Sequence, residues 1–173
     1  HMTSAAPSAP SPTFIHLRVR SALSLLQSMI RPKDLAKWAA ATGAPAVAVT
    51  DDNLFAALEL SEGLAEQGVQ PIIGCSLCVA EPGLTGEVGV LALLAQDEAG
   101  YRNLMQLSSE AFLTPARDAN TIALERVLEL SQGLICLTGG HGGLLHRRAA
   151  AGRRDDVAKV LDRLADAFPA RLY

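Results

Sequence analysis

No stretch of this 173-residue sequence reaches the roughly 18 consecutive apolar residues of a membrane-crossing helix, and no charged-then-apolar export signal opens it. A surplus of positive charge is missing too. The formal net charge is −3 and the pI about 5.8. That argues against a general phosphate-binding surface and leaves room for only a small basic patch. No segment recurs at a period of roughly 20–50 residues, so solenoids and propellers are excluded. Cysteine is scarce. Three residues make no disulfide framework, and unpaired thiols fit a reducing cytoplasm. What is present, 49% hydrophobic and 19% charged residues, describes one globular domain rather than a disordered chain.

His1-Met2 reads as a cloning scar, and residues 3–13, all Ser, Ala, Pro and Thr, as a flexible tail. Residues 1–13 are therefore set apart from a folded domain over 14–173. Within that domain, Phe14–Arg20 alternates apolar with polar residues at the period of a strand. Apolar runs predict further strands at 46–50, through Cys75, at 88–95 and at 134–138, and Arg171-Leu-Tyr173 opens another. Helices are predicted over 33–41, 54–67, 97–113, 121–130 and 154–168, with Gly43 and Gly68 as stops and the polar group Asp51-Asp52-Asn53 as a source of caps. A loop with two Gly and one Pro falls at Glu81–Glu87. Alternating strands and helices predict an α/β fold, mostly parallel strands with outer helices. A closed eight-stranded barrel takes about 250 residues, so the expectation is an incomplete barrel or a small open sheet.

Cys75 and Cys78 form a C-x-x-C, a spacing used in redox and zinc sites. Residues three apart on a strand face opposite ways, so the thiols diverge and read as small buried apolar groups, as does Cys136.

In parallel α/β folds ligands bind at the carboxyl ends of strands. Three such ends stand out. Arg18 and Arg20 share one strand face, as a functional pair or as an ordinary solvated or salt-bridged one. Asp51 and Asp52 suit metal or acid–base work, or merely cap the next helix. Gly139-Gly-His-Gly-Gly143, with His141, could cradle a phosphate or simply turn; it lacks the P-loop lysine and the G-x-G-x-x-G spacing.

Six stretches in order carry a resemblance. They are Phe14-Ile-His-Leu-Arg-Val-Arg-Ser21 with Ser24-Leu-Leu26, Ala46-Val-Ala-Val-Thr-Asp51 with Asn53-Leu-Phe55, Gly68-Val-Gln-Pro-Ile-Ile-Gly74, Gly100-Tyr-Arg-Asn-Leu-Met105, Gly133-Leu-Ile-Cys-Leu-Thr-Gly-Gly140 and Phe168-Pro-Ala-Arg-Leu-Tyr173. Together they resemble the polymerase-and-histidinol-phosphatase (PHP) domain that opens bacterial DNA polymerase III alpha subunits. The resemblance implies a distorted TIM-like (β/α) barrel, here incomplete, with the family's domain continuing beyond Tyr173.

The family's active members hold a metal cluster in the barrel mouth. At the positions this chain can be matched to, Arg18 and Arg20 replace the two histidines of His-x-His, and Gln27 replaces a carboxylate. Thr50-Asp51-Asp52-Asn53 stands for Thr-Asp-His-Gly-Asn, one residue shorter, so Asp51 remains, Asp52 adjoins it and the His is gone. Ser76, Val90 and Gly140 stand for Glu, His and Cys. Two guanidinium groups repel a divalent cation at any ordinary pH. The pattern is similar to the family's degenerate branch, which implies a non-catalytic structural and docking domain of a replicative polymerase. No metal or cofactor is expected in this stretch, and magnesium belongs to a polymerase domain elsewhere in the parent chain. The implied partners are the rest of that chain and the proofreading exonuclease subunit, with DNA met only through the parent, in the cytoplasm and away from membranes. The alternatives are a PHP-type metal-dependent phosphoesterase, a small phosphate-binding module using Gly139–Gly143, and the error-prone paralogue. Asn53-Leu-Phe55 and Pro71-Ile-Ile-Gly74 look more like the replicative version.

Overall fold

The computed structural model describes residues 14–24, 28–81, 88–113 and 121–173. The tail at 1–13, Gln27 and nearly all of the predicted loop at 81–87 lie outside the described residues. The chain runs β1 (His16–Val19), α1 (Pro32–Ala41), β2 (Ala46–Val49), α2 (Ala57–Glu66), β3 (Gln70–Ala80), β4 (Gly89–Ala95), α3 (Glu98–Leu113), β5 (Thr121–Ala123), α4 (Leu124–Glu129), β6 (Leu134–Leu137), a 3-10 turn over Gly140–Gly142, α5 (Leu144–Ala150) and α6 (Arg154–Ala167).

One sheet holds the strands in the order β1-β2-β3-β4-β6, with β5 beside β3. β1–β2, β2–β3 and β3–β5 are parallel, while β4 runs against both β3 and β6. The sheet is thus mostly parallel, with one reversed strand. The reversal follows from the chain: only eight residues separate Ala80 from Gly89, too few for a crossover helix. The eleven residues of β3 serve two halves, since Gln70–Ile73 pair with β2 and Gly74–Val79 with β4. Past α6, Leu172 bridges Cys136 in parallel, and Tyr173 N donates to Cys136 O at 2.9 Å, so the strand predicted at the chain's last residues joins β6.

The core is split in the same way. Leu35 and Ala39 of α1 and Leu60 and Leu64 of α2, each pair four residues apart, pack on Val47 and Val49 of β2. Leu104 and Leu107 of α3 and Val160 and Leu164 of α6, with Phe168, pack on Leu77, Leu91, Leu93 and Leu134.

Three predicted boundaries differ. The helix expected over 121–130 begins as strand β5, with α4 confined to Leu124–Glu129; three residues are too few to show a period of two. Helix α5 lies in a stretch for which no element is predicted; it is short, follows Gly139–Gly143, and has Arg148 on its buried side. Helix α2 starts at Ala57, not Leu54, and its N-cap, Ala56, makes no side-chain cap. Asp51 and Asn53 are engaged elsewhere.

Candidate functional site: the mouth at the strand ends

The carboxyl ends of β1, β2 and β3 are laced together by the backbone. Thr50 N donates to Val19 O and Ser76 N to Asp51 O, both at 2.8 Å. Asp51 leaves the end of β2 with its carboxylate turned back toward the segment after β1. It is 2% exposed. Oδ1 accepts from Ser21 N and from Ser24 Oγ, each at 2.7 Å, and Oδ2 accepts from Ser21 Oγ at 2.5 Å. Ser21 and Ser24 are themselves fully buried. Asn53 Nδ2 donates to Leu23 O at 3.2 Å, so two side chains from one loop strap down residues 21–24. The capping predicted for Asp51 and Asn53 becomes this strap. Asn53 Oδ1 instead accepts from Phe55 N at 3.0 Å, closing an Asx turn, and the partly buried Asp52 accepts from Asn53 Nδ2 at 3.1 Å.

Arg18 points outward from β1, and its Nη1 donates to Gly139 O at 2.7 Å. β1 and β6 lie at opposite ends of the strand order, yet this hydrogen bond joins the end of β1 to the loop after β6. The sheet is therefore curled toward closure, and Arg18 spans the gap. Gly139 sits at φ 91°, and a Cβ there would meet Val90 O at 2.5 Å. Only glycine suits that turn. The carbonyl it presents is taken by Arg18, and residues 140–142 form a 3-10 turn.

Arg20 is half-buried and lies close enough to Cys75 to act on its thiol. Burial pushes Cys75 up to about 12, a push that the nearby Asp52 and Asp51 reinforce and that a hydrogen bond with Ser108 opposes. Burial likewise pushes Cys136 up to about 12. Both stay thiols near neutral pH and are poor nucleophiles. Cys75 is buried and Cys78 half-buried on β3, as divergence along a strand requires. Ser76 is buried and donates to Thr50 O at 2.9 Å. Val90 is half-buried and bridges Gly143, while Gly140, at φ 62°, lies beside the Arg18 guanidinium. Arg18, Arg20, Asp51, Asp52, Val90 and Gly140 thus fall near strand ends or in the loops beside them, while Ser76 lies within β3, next to the end of β2. Gln27 lies outside the described residues. Among the described residues, no three His, Cys, Asp or Glu side chains come together as metal ligands, and no helix is long and apolar enough to cross a membrane.

Two features escaped the sequence reading. Ser21 and Ser24 are the partners of Asp51, for which Ser-x-x-Ser directly after a strand is the available signal. A mostly apolar shelf also flanks the mouth: Phe55 and Phe112 lie ring against ring at 5.7 Å between centroids, and Leu54, Met105 and Leu113 line it with Ser108 and Ser109. Phe55 is 73% and Leu113 81% exposed.

Residues 16–173 match the sequence profile of the PHP domain. The DNA polymerase III subunit alpha of Caulobacter vibrioides is 41% identical over 169 residues, which cover 92% of this chain and 15% of that protein. The protein of the same description from Pseudomonas aeruginosa is 34% identical over 164 residues, covering 93% of this chain and 14% of its own length. This chain therefore spans about a seventh of the length of the curated relatives it matches. Among solved structures, an amidohydrolase from Chromobacterium violaceum, described with bound sulfate and no metal, superposes with a TM-score of 0.54 at 13% identity, over 84% of this chain and 74% of that one. That likeness supports a TIM-barrel-like fold and nothing finer.

Proposed function

The chain belongs to the PHP-domain family, and from that premise we propose that it is a non-catalytic structural and docking domain of a replicative DNA polymerase, its metal centre replaced by hydrogen bonds internal to the protein. One observation carries the reading. Asp51, the single carboxylate kept at the matched ligand positions, has both oxygens taken by Ser21 and Ser24. The donor set offers no alternative cage. The other matched positions within the described residues hold two guanidiniums, a serine hydroxyl already donating to Thr50 O, a valine and a glycine, and the family's divalent cluster does not fit that chemistry. Without an ion there is no activated water and no clamp on phosphoryl charge, which counts against the phosphoesterase alternative. Identity to two subunits of the same description supports the assignment to replication. Nucleotidyl transfer, magnesium and DNA contact then belong to other parts of the parent.

For docking, the shelf of Phe55, Phe112 and Leu113 supplies what a partner needs, since an exposed apolar patch beside a polar rim is what interfaces are built from. The partner implied by the family is the proofreading exonuclease subunit. Two experiments test the proposal. Hydrolysis of a chromogenic phosphate ester and of labelled single-stranded DNA, with manganese added, is expected to stay at background; activity that disappears on Asp51→Asn would overturn the inert reading. Calorimetric titration of the parent polymerase chain with the exonuclease subunit is expected to give saturable binding, and its absence at high micromolar concentration would overturn the docking assignment.

A further inference from the structure

Beside the mouth, but on none of the matched ligand positions, two imidazoles meet. His141 stands in the 3-10 turn after β6, and His146 is the third residue of α5. Their ring centroids are 4.4 Å apart with the planes inclined at 39°. Both residues are exposed. No carboxylate or thiol joins them into a group of three among the described residues, and no hydrogen bond there fixes either ring. The approach is built into the loop, because Gly139 and Gly140 both take positive φ, 91° and 62°, which turns the chain so that His141 lies over the start of α5.

We propose that His141 and His146 form a two-imidazole site for a divalent first-row transition ion, with waters in the remaining positions. Metal–nitrogen bonds of about 2.0–2.1 Å put two imidazole ring centres about 4.5 Å apart when the ligands meet at a right angle and about 5 Å apart at a tetrahedral one, so the observed 4.4 Å lies at the close end, nearest the right-angle arrangement. Imidazole selects copper, nickel and zinc over manganese or magnesium. The arginines nearest in sequence and space are already committed. Arg18 is on Gly139 O, Arg147 Nη1 donates to Val88 O at 3.1 Å, and Arg148 is buried against Glu81. Their charge and the count of only two protein ligands make the site exchangeable rather than structural. A bound ion would pin the 139–143 loop to α5 and so brace the carbonyl that holds Arg18.

The test is a titration of the intact chain with nickel or zinc chloride, followed by calorimetry and by the imidazole resonances. The chain has four histidines. A His1→Ala background removes the histidine that lies outside the described residues, and His16→Asn serves as control. The expected result is saturable binding of one ion per chain, shifts confined to the rings of His141 and His146, and a loss of affinity of about tenfold or more for His141→Asn and for His146→Asn alike. Each substitution is expected to leave the metal-free melting midpoint unchanged, since both rings are exposed. Binding that survives either substitution, or no saturable binding at millimolar ion, would overturn the site.

Discussion

Asp51, after β2, and Glu81, after β3, are both largely buried carboxylates, and the protein satisfies them by opposite means. Asp51 is met by neutral donors, one backbone N–H and two serine hydroxyls. Glu81 is met by charge: Arg148 Nη1 lies 2.6 Å from Oε2, and Arg163 Nη1 donates to Oε1 at 2.8 Å. Arg148 is 1% exposed at its side chain. Among the described residues none of its nitrogens has a directed hydrogen bond, and ion pairing to Glu81 compensates its charge. Arg163 reaches on to Glu125 at 2.9 Å and ties β3 to α4 and α6. The contrast separates two jobs. At the mouth, hydroxyls can rotate and either donate or accept, so a change of charge is absorbed locally. On the flank, Glu81 compensates Arg148, which is buried, and Arg163, which is not, so removing Glu81 strands Arg148.

The largest effect is therefore expected on the flank. Glu81→Gln keeps the shape but leaves Arg148 buried without compensation, at a cost of about 3–5 kcal/mol. Denaturant midpoints measure it. The double change Glu81→Gln with Arg148→Met is expected to recover most of the loss, because no buried charge is then left over. A loss below about 1 kcal/mol for Glu81→Gln would mean that the pair is solvated and the contrast false.

Asp51→Asn is expected to cost less, about 1 kcal/mol. Asn Oδ1 still accepts from Ser21 N and Ser24 Oγ, and Ser21 Oγ turns to accept from the new amide. Ser21→Ala with Ser24→Ala, which leaves the buried carboxylate short of donors, is expected to exceed it. If Asp51→Asn proves the more damaging, the serines are not the carboxylate's main support.

Little of this contrast could be read in the sequence. Asp51 was visible because Ala46-Val-Ala-Val-Thr50 announces a buried strand and the next polar residue must sit at its end. The pairing of Glu81 with Arg148 spans 67 positions and leaves no periodic trace. Nor does local pattern fix strand direction. Val88–Ala95 was legible as a strand, but its reversal depends on how short the link from Ala80 is. The diverging Cys75 and Cys78 were legible because the two-residue period of a strand fixes them. Helix α5 was not, since its buried Arg148 looks polar until Glu81 is in place. At the mouth, the residue types at positions 18, 20, 76, 90 and 140 were visible at once. Their partners, Gly139 O for Arg18 and Thr50 O for Ser76, needed the curl of the sheet.

The smallest effect falls on a half-exposed counterpart of the Glu81 pair. Arg126 donates twice to Glu110, at 2.7 and 2.8 Å, and holds its carboxyl down to about 2. A depressed folded-state pKa gives stability that is present above the ordinary carboxylate range and is lost as pH falls toward 2. With both side chains about a third exposed, solvent screening limits this to about 0.5 kcal/mol. Glu110→Gln is expected to lower stability at neutral pH by that amount and to leave it unchanged below pH 2. An acid limb no shallower in Glu110→Gln than in the unaltered chain would show that other carboxylates carry it.

The central claim is that the one carboxylate kept at the matched ligand positions, Asp51, is taken by hydrogen bonds internal to the protein and holds no metal. Titration of the chain with manganese chloride at neutral pH, read by calorimetry and by paramagnetic relaxation of resonances from residues 18–21 and 50–53, tests it directly. Manganese is the right probe because the exposed imidazole pair discriminates against it. The account predicts no saturable heat and no selective broadening at these strand ends. One or more manganese ions bound per chain, broadening Asp51 and lost on Asp51→Asn, would contradict it.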